Sequence, residues 1–301
     1  MGETWSPARE RAEGERRVWR LIDRELRFGP PLGVGIVNVT DDSFHAGARS
    51  GTPDEAVADG LELVAAGFDL LDVGAVAARS GPPVRAEEEE ARLVPAIERF
   101  ASEAAVPITA DTFSARVARA ALDAGAVAIN DISGGADGEL VAVAAERGCG
   151  YVLMHIEGAP RTARDVRAGG DPVARVRTWF TQRIDTLVAA GVDLDQIVLD
   201  PGLDFDLTVD DDLELLRRLE ELRVADRPLF VALSRKDFLG AVLAGSWESR
   251  APAAEREWAT AAATALAIDA GADLVRLHDR SALDALRVAA AINEAGAVAV
   301  G

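Results

Sequence analysis

An eight-fold α/β barrel, the (β/α)8 or TIM barrel, is the fold this sequence predicts, and three observations carry the prediction. Short apolar runs recur at Val34–Val39, Leu70–Val73, Ile108–Asp111, Ala128–Asn130, Tyr151–Met154, Ile197–Leu199, Leu229–Leu233 and Leu274–Leu277. They do not alternate polar with apolar residues, which marks strands buried on both faces, as in a parallel sheet. Ala-rich amphipathic stretches such as Ala115–Ala124 and Asp211–Leu222 separate them. Gly67, Gly125, Gly148, Gly191 and Gly271 stand where left-handed residues close helices. Polar residues then mark the carboxyl end of every run: Asn38, Asp72, Asp111, Asn130, His155, Asp200, Ser234 with Lys236, and Arg276 with His278. A barrel brings such ends to one rim, where catalytic groups collect, and closure removes both sheet edges. An open doubly wound sheet is the alternative. No Gly-x-Gly-x-x-Gly opens the first unit, which weakens its dinucleotide-binding version.

The barrel domain is expected over residues 34–301, preceded by an extension over residues 1–33. Within the extension, Trp5 to Arg27 reads as a charged helix whose Trp19, Leu21, Ile22 and Leu26 pack under the barrel. The acidic run Glu87–Glu90 reads as a solvated first helical turn, where negative charge suits the helix dipole.

A formal charge of −19 over 301 residues argues against a nucleic-acid partner, because phosphates would be repelled over most of the surface. A site for an anionic substrate must then be a local positive island. The lone Cys149 precludes an internal disulfide and fits a reducing cytosol. Neither a signal peptide nor a membrane-spanning run is present, so a cytoplasmic protein is expected. The 32 basic residues include one lysine, Lys236, directly after a buried-strand pattern. A compact ammonium retained among arginines at that position points to a site where a planar guanidinium does not fit.

The motifs along the rim resemble those of the dihydropteroate synthases. Gly35-Ile36-Val37-Asn38-Val39-Thr40 with Asp42-Ser43-Phe44 resembles the first loop of that family, and Asp72-Val73-Gly74 with Arg79 and Gly81 the second. Asp111-Thr112, Ile129-Asn130-Asp131-Ile132, Leu153-Met154-His155, Asp200-Pro201-Gly202, Ser234-Arg235-Lys236 and Val275-Arg276-Leu277-His278-Asp279 follow in family order. The match runs from about Val34 to Ile292. Each fragment is weakly specific; the ordered set is strongly so.

The resemblance implies a homodimeric barrel that joins a 6-hydroxymethyl-dihydropterin diphosphate to p-aminobenzoate and releases pyrophosphate with Mg²⁺. It implies that Asp111, Asn130, Asp200 and Lys236 grip the pterin edge, with Ile132, Met154 and Phe205 as apolar walls. Asn38, Arg79, Arg276 and His278 would take the diphosphate, and Asn38 also the metal. Asp111, Lys236 and Asn38 would carry the catalysis, and Phe44, Ala78, Ser80 and Asp237 would face the acceptor. The residue types suit these tasks. Buried carboxylates and an amide pair with an amino-pyrimidinone edge, and a site built on such bonds rejects poor ligands by leaving its own groups unpaired. Displacement at an exocyclic methylene needs no covalent enzyme intermediate, so the lack of a Ser/His/Asp or Cys/His pattern is expected.

The departures gather on the acceptor side. Asp41, His45, Ala46 and Ala48 alter the first loop, and Val76-Ala77-Ala78 replaces Glu-Ser-Thr in the second. Asp204-Phe205-Asp206 stands for Gly-Phe-Gly, and Asp237 for a serine that binds the aminobenzoate carboxylate. Like charges at contact distance are costly, so an altered acceptor, lacking the carboxylate or positively charged, is expected ahead of p-aminobenzoate. The alternatives are a non-catalytic pterin-binding paralogue and, ranked lower, a pterin-dependent methyltransferase, which would not need the diphosphate cations. Arg161-Thr162 reads as loop architecture. No Walker-type glycine loop is present, which sets a nucleotide kinase aside.

Overall fold

The computed structural model describes residues 17–39, 53–78, 84–162, 166 and 169–298. Arg79, Ser80 and Phe44 lie outside these residues, as do the substitutions at 41–48 and the part of the extension before residue 17.

Eight parallel strands form the barrel: β3 (Leu32–Asn38), β4 (Leu70–Gly74), β5 (Ile108–Asp111), β6 (Ala128–Asp131), β7 (Gly150–Met154), β8 (Ile197–Asp200), β9 (Phe230–Ala232) and β10 (Leu274–Leu277). They neighbour one another in the order β8-β7-β6-β5-β4-β3-β10-β9. A parallel bridge between Leu199 and Leu229 joins the first of these to the last and completes the ring. The helices between them are α1 (Pro53–Ala66), α2 (Ala86–Glu103), α3 (Ala115–Asp123), α4 (Gly138–Arg147), α5 (Pro172–Ala189), α6 (Val209–Arg217), α7 (Asp237–Ala244), α8 (Glu257–Asp269) and α9 (Arg280–Val298).

Side-chain phase along the strands explains both core and site. Residues two apart on a strand share a face. Val34, Leu70, Ala128, Val152, Val198, Phe230 and Leu274 form one apolar layer inside the barrel. Two residues further along the same strands stand Ile36, Asp72, Asn130, Met154, Asp200, Ala232 and Arg276. The floor and the polar rim are therefore successive rungs of one inward face. The intervening residues, Val37, Leu71, Val73, Ala110, Ile129, Leu153, Leu199, Val231 and Val275, pack outward against the helices.

The helix signals act as expected at several ends. Ser114, Asp137, Asp171 and Thr208 accept bonds from the first turns of α3, α4, α5 and α6, and Gly148 closes α4 with φ +60°. The Asp211–Leu222 stretch is helical only in part: α6 ends at Arg217, and Leu219–Leu222 tightens into a 3₁₀ turn.

The described part of the extension is not the expected helix. Residues 18–27 form an antiparallel hairpin, β1 (Val18–Arg20) and β2 (Glu25–Arg27), with Trp19 opposite Leu26. Trp19, Leu21 and Phe28 are buried against the inner layer of the barrel, while Ile22 stays exposed at the turn. The Trp19 indole N–H donates to the Gln196 carbonyl at 2.8 Å, so the plug meets its one buried polar demand.

Glu89 is a second correction. It lies in the first turn of α2 but is buried, accepting a bond from the Thr112 hydroxyl beside Asp111, and burial raises its pKa. Glu87 and Glu90 instead bind Arg116 of α3 at the surface.

Candidate active site

The centre of the rim is a network of buried acids around one guanidinium. Asp72, fully buried at the end of β4, accepts from the Thr109 hydroxyl, from Asn130 Nδ2 at 3.0 Å and from Arg276 Nε. Arg276 Nη2 donates to Asp111 Oδ2 at 2.8 Å. One planar fork thus ties β10 to β4 and β5, a geometry suited to arginine. The Oδ1 atom of Asn130 is buried without a hydrogen-bond partner, an acceptor held ready on the inward face.

Electrostatics follow from this crowding. Burial raises the Asp111 pKa to about 7, helped by the neighbouring Asp72 charge and opposed by Arg276. Burial likewise raises Asp200 to about 6, against the pull of the Gly202 backbone N–H and of Lys236. The guanidinium is held charged by Asp72 and Asp111. Groups displaced towards neutrality in one cleft mark a functional centre.

Lys236 follows β9 in a tight turn. Arg235 takes φ +59°, its N–H bonds the Thr260 hydroxyl, and its carbonyl accepts from Arg256, so α8 and its approach pin the turn. Lys236 Nζ donates to the Leu203 carbonyl at 2.9 Å and lies 4.8 Å from the centre of the Phe205 ring. Its charge also acts on Asp200. The loop that carries Phe205 starts at Gly202, with φ +68°, where a Cβ would come within 2.0 Å of the His155 carbonyl oxygen; only glycine fits there.

Ile132, Met154 and Ile156 form a separate apolar cluster, with Ala78, Phe113 and Phe205 packed on it. This is a wall suited to a flat ring. His278 Nδ1 lies 2.8 Å from Ser234 Oγ at the end of β10. Asn38 ends β3 on the same face.

The structure therefore gathers Asp111, Asn130, Asp200, Lys236, Arg276, Ile132, Met154 and Phe205 in one region. Arg276 differs in setting from its expected diphosphate role: it is engaged with two carboxylates. Asp237 also differs. It lines a cleft with Ala78 and Phe205, but its Oδ1 accepts from Arg256 at 2.7 Å and lies 3.1 Å from Arg250 Nε. Its charge is balanced, so simple repulsion of an anion is not what this side chain supplies. Arg161, read from sequence as loop architecture, lines the same cleft and donates to the Ala77 carbonyl.

Sequence reasoning placed Asp72 on the rim but gave it no task, and it overlooked Ile156, Phe113 and Arg256. Asp72 was signalled by its strand-end position. Besides the nearby Ala251 carbonyl, Arg256 bonds Asp237 and Arg235, 19 and 21 residues away, and no local motif announces those two.

Comparison with known proteins agrees with this geometry. The family model described as pterin binding enzyme matches residues 34–278. A dihydropteroate synthase of Mycobacterium leprae is 41% identical over 279 residues, covering 90% of this chain and 96% of that protein. The dihydropteroate synthase of Xanthomonas albilineans, solved with 4-aminobenzoic acid, superposes with a TM-score of 0.82 at 36% identity, covering 92% of this chain and 98% of that one. That of Burkholderia cenocepacia, complexed with 7,8-dihydropteroate, gives 0.82 at 35% identity over 93% and 98%. With the family model spanning the barrel and this relative matched over nearly its whole length, the chain belongs to the dihydropteroate synthase family of pterin-binding transferases.

Proposed function

We propose that this protein joins the exocyclic methylene of a 6-hydroxymethyl-dihydropterin diphosphate to an amine and releases pyrophosphate. The observation that supports it is the convergence of Asp72, Asp111, Asn130, Asp200, Lys236 and Arg276 beside one apolar wall. Asn130 Oδ1 and the carboxylates accept from the ring's amino and N–H groups, while Lys236 donates to its oxygen. Ile132, Met154 and Phe205 cover the ring faces. As the carbon–oxygen bond to the diphosphate breaks, its electron pair leaves with pyrophosphate. The amine nitrogen supplies the pair for the new bond and then loses a proton. The anionic Asp111 favours positive charge developing on the ring. Arg276, once Asp111 turns to the pterin, has a donor to offer the departing group, and His278, at the end of the same strand, would join it.

The family's Mg²⁺ fits the donor set in a limited way. Among the described residues no three His, Cys, Asp or Glu side chains are grouped to hold a metal. The Asn38 amide is one hard oxygen donor at the rim, and Mg²⁺ often takes few protein ligands when substrate phosphates supply the rest. When bound, the ion would neutralise charge on the leaving pyrophosphate.

Pyrophosphate release from the pterin diphosphate, assayed with Mg²⁺ and a panel of aryl amines, tests the reading. Turnover is expected; intact pterin affinity with no turnover would instead favour the binding paralogue. The carboxylates must be ionised to accept ring N–H groups. kcat/KM for the pterin should therefore rise with pH through about 6 and about 7, the values of Asp200 and Asp111. A profile flat between about pH 5 and about pH 8 would contradict their role. Stability should run the opposite way: both pKa values are raised, so the stability these groups give is present at acid pH and lost as pH rises through the same range.

A homodimer is part of the proposal. Val242 and Leu243 of α7, Trp258 and Leu266 of α8, and Val288 and Ile292 of α9 are exposed, Trp258 to 85%. α8 packs on both α7 and α9, so these side chains belong to neighbouring elements, and a second copy is the occupant inferred. Trp258→Glu should convert the dimer to monomer in light scattering; an unchanged mass would place the interface elsewhere. Among the described residues no helix is long and apolar enough to cross a membrane, and the single buried cysteine suits a cytoplasmic setting.

A further inference from the structure

The acceptor end of the cleft holds a carboxylate of the protein's own where an anionic substrate would find its donors. This end encloses about 270 Å³ and is lined by Phe205, Ile156, Arg161, Asp237, Trp247 and Arg250 among others. The natural seat for a negative group there is the start of α7, whose first backbone N–H groups have no partner inside the helix. In this chain the seat is filled. The N–H of Asp237 donates to Asp204 Oδ2 at 2.5 Å and that of Phe238 to Asp204 Oδ1 at 2.8 Å, one carboxylate oxygen to each.

Asp204 is built into this position. It is 1% exposed, and its own N–H is fixed on Asp212 Oδ1 at 2.9 Å. Its φ of +73° is left-handed, a conformation unfavourable for most non-glycine residues and better tolerated by aspartate. The family resemblance puts glycine here, and the chain keeps the glycine-like backbone while adding a carboxylate.

The neighbouring charges are also committed. Arg250 directs Nε to Asp237 and Nη1 to the Trp247 carbonyl, and its guanidinium lies 5.0 Å from the centre of the Trp247 ring. Asp237 takes ion pairs from both Arg250 and the buried Arg256, so these two guanidinium groups already face a carboxylate of the protein. A substrate carboxylate seated at the start of α7 would have to compete with Asp204 for these two donors, and a buried carboxylate that loses hydrogen bonds is costly.

We propose that Asp204 determines acceptor specificity, restricting this transferase to arylamines whose end opposite the amine is uncharged. The inference rests on the transfer reaction proposed above. An amide or hydroxyl at that end can both donate and accept, which suits a wall of paired acids and arginines.

The test compares kcat/KM for p-aminobenzamide and p-aminobenzoate in the full-length enzyme with pterin diphosphate and Mg²⁺. The amide should be preferred by about tenfold or more, as expected when one ligand leaves buried groups unpaired. Asp204→Gly suits the left-handed backbone and vacates the seat, so it should move the ratio towards p-aminobenzoate by about tenfold. Asp204→Asn keeps the shape but loses one acceptor oxygen. It should move the ratio in the same direction by less, and it serves if the glycine variant fails to fold. A parent enzyme that prefers p-aminobenzoate, with the ratio unmoved in both variants, overturns the acceptor inference and leaves the transfer reaction standing. Silence with both amines overturns the transfer reaction and this inference with it.

Discussion

Lys236→Arg should abolish pterin binding while leaving the fold intact. The ammonium sits where a single compact cation is needed: bonded to the Leu203 carbonyl at 2.9 Å, 4.8 Å from the Phe205 ring centre, and acting on Asp200. A guanidinium is wider, planar and less able to act as a point donor, so it would clash with the ring wall or push the Gly202–Phe205 loop aside. Affinity for a pterin, measured by titration calorimetry, should fall by about a hundredfold or more, equivalent to about 2.7 kcal/mol. Melting temperature should change little, because Lys236 lies in a turn already pinned by Arg256 and Thr260. A melting curve far below the parent's, with affinity kept, would make the lysine structural.

Asp72→Asn should cost nearly as much, although Asp72 is at the foot of the site. Its carboxylate accepts from Thr109, Asn130 and Arg276, so it sets the tilt of the Asn130 amide and the position of the guanidinium together. The asparagine keeps the shape but offers one acceptor oxygen and a misplaced NH₂ group. Removing one partner of a buried ion pair costs ~3–5 kcal/mol. Part of that loss should appear as a fall of about a hundredfold in kcat/KM. A purely structural role would lower stability and nothing else. The distinguishing reading is the pH profile: the Asp72 charge helps to raise Asp111, so its removal should move the acidic limb of kcat/KM to lower pH. A limb that stays in place would contradict the coupling.

The fold, and the gathering of most candidate residues on one rim, were legible because strands announce themselves through uninterrupted apolar runs, and a barrel turns every strand end the same way. Asp111, Asn130, Asp200, Lys236 and Arg276 could each be placed from position alone. The hairpin at 18–27 was misread because Trp19, Ile22 and Leu26 imitate helical spacing. The phase that mattered was two: Trp19 with Leu21 before the turn, Leu26 with Phe28 after it. Glu89 was misread for a related reason, since an acid in a first helical turn looks solvated until a neighbouring loop covers it. The acceptor side was hardest. Asp237 looked like a repelling charge, yet arginines distant in sequence balance it. Asp204 looked like a loop substitution, and only the folded chain shows its carboxylate on the donors of α7.

The hairpin floor also dictates traffic. Among the described residues, Trp19 closes the underside of the barrel and is tied to Gln196, leaving the strand-end rim as the way in. In the proposed reaction a heterocycle held by the deepest residues would have to settle before an amine could bind above it. The joined product would then leave by the same opening, amine end first.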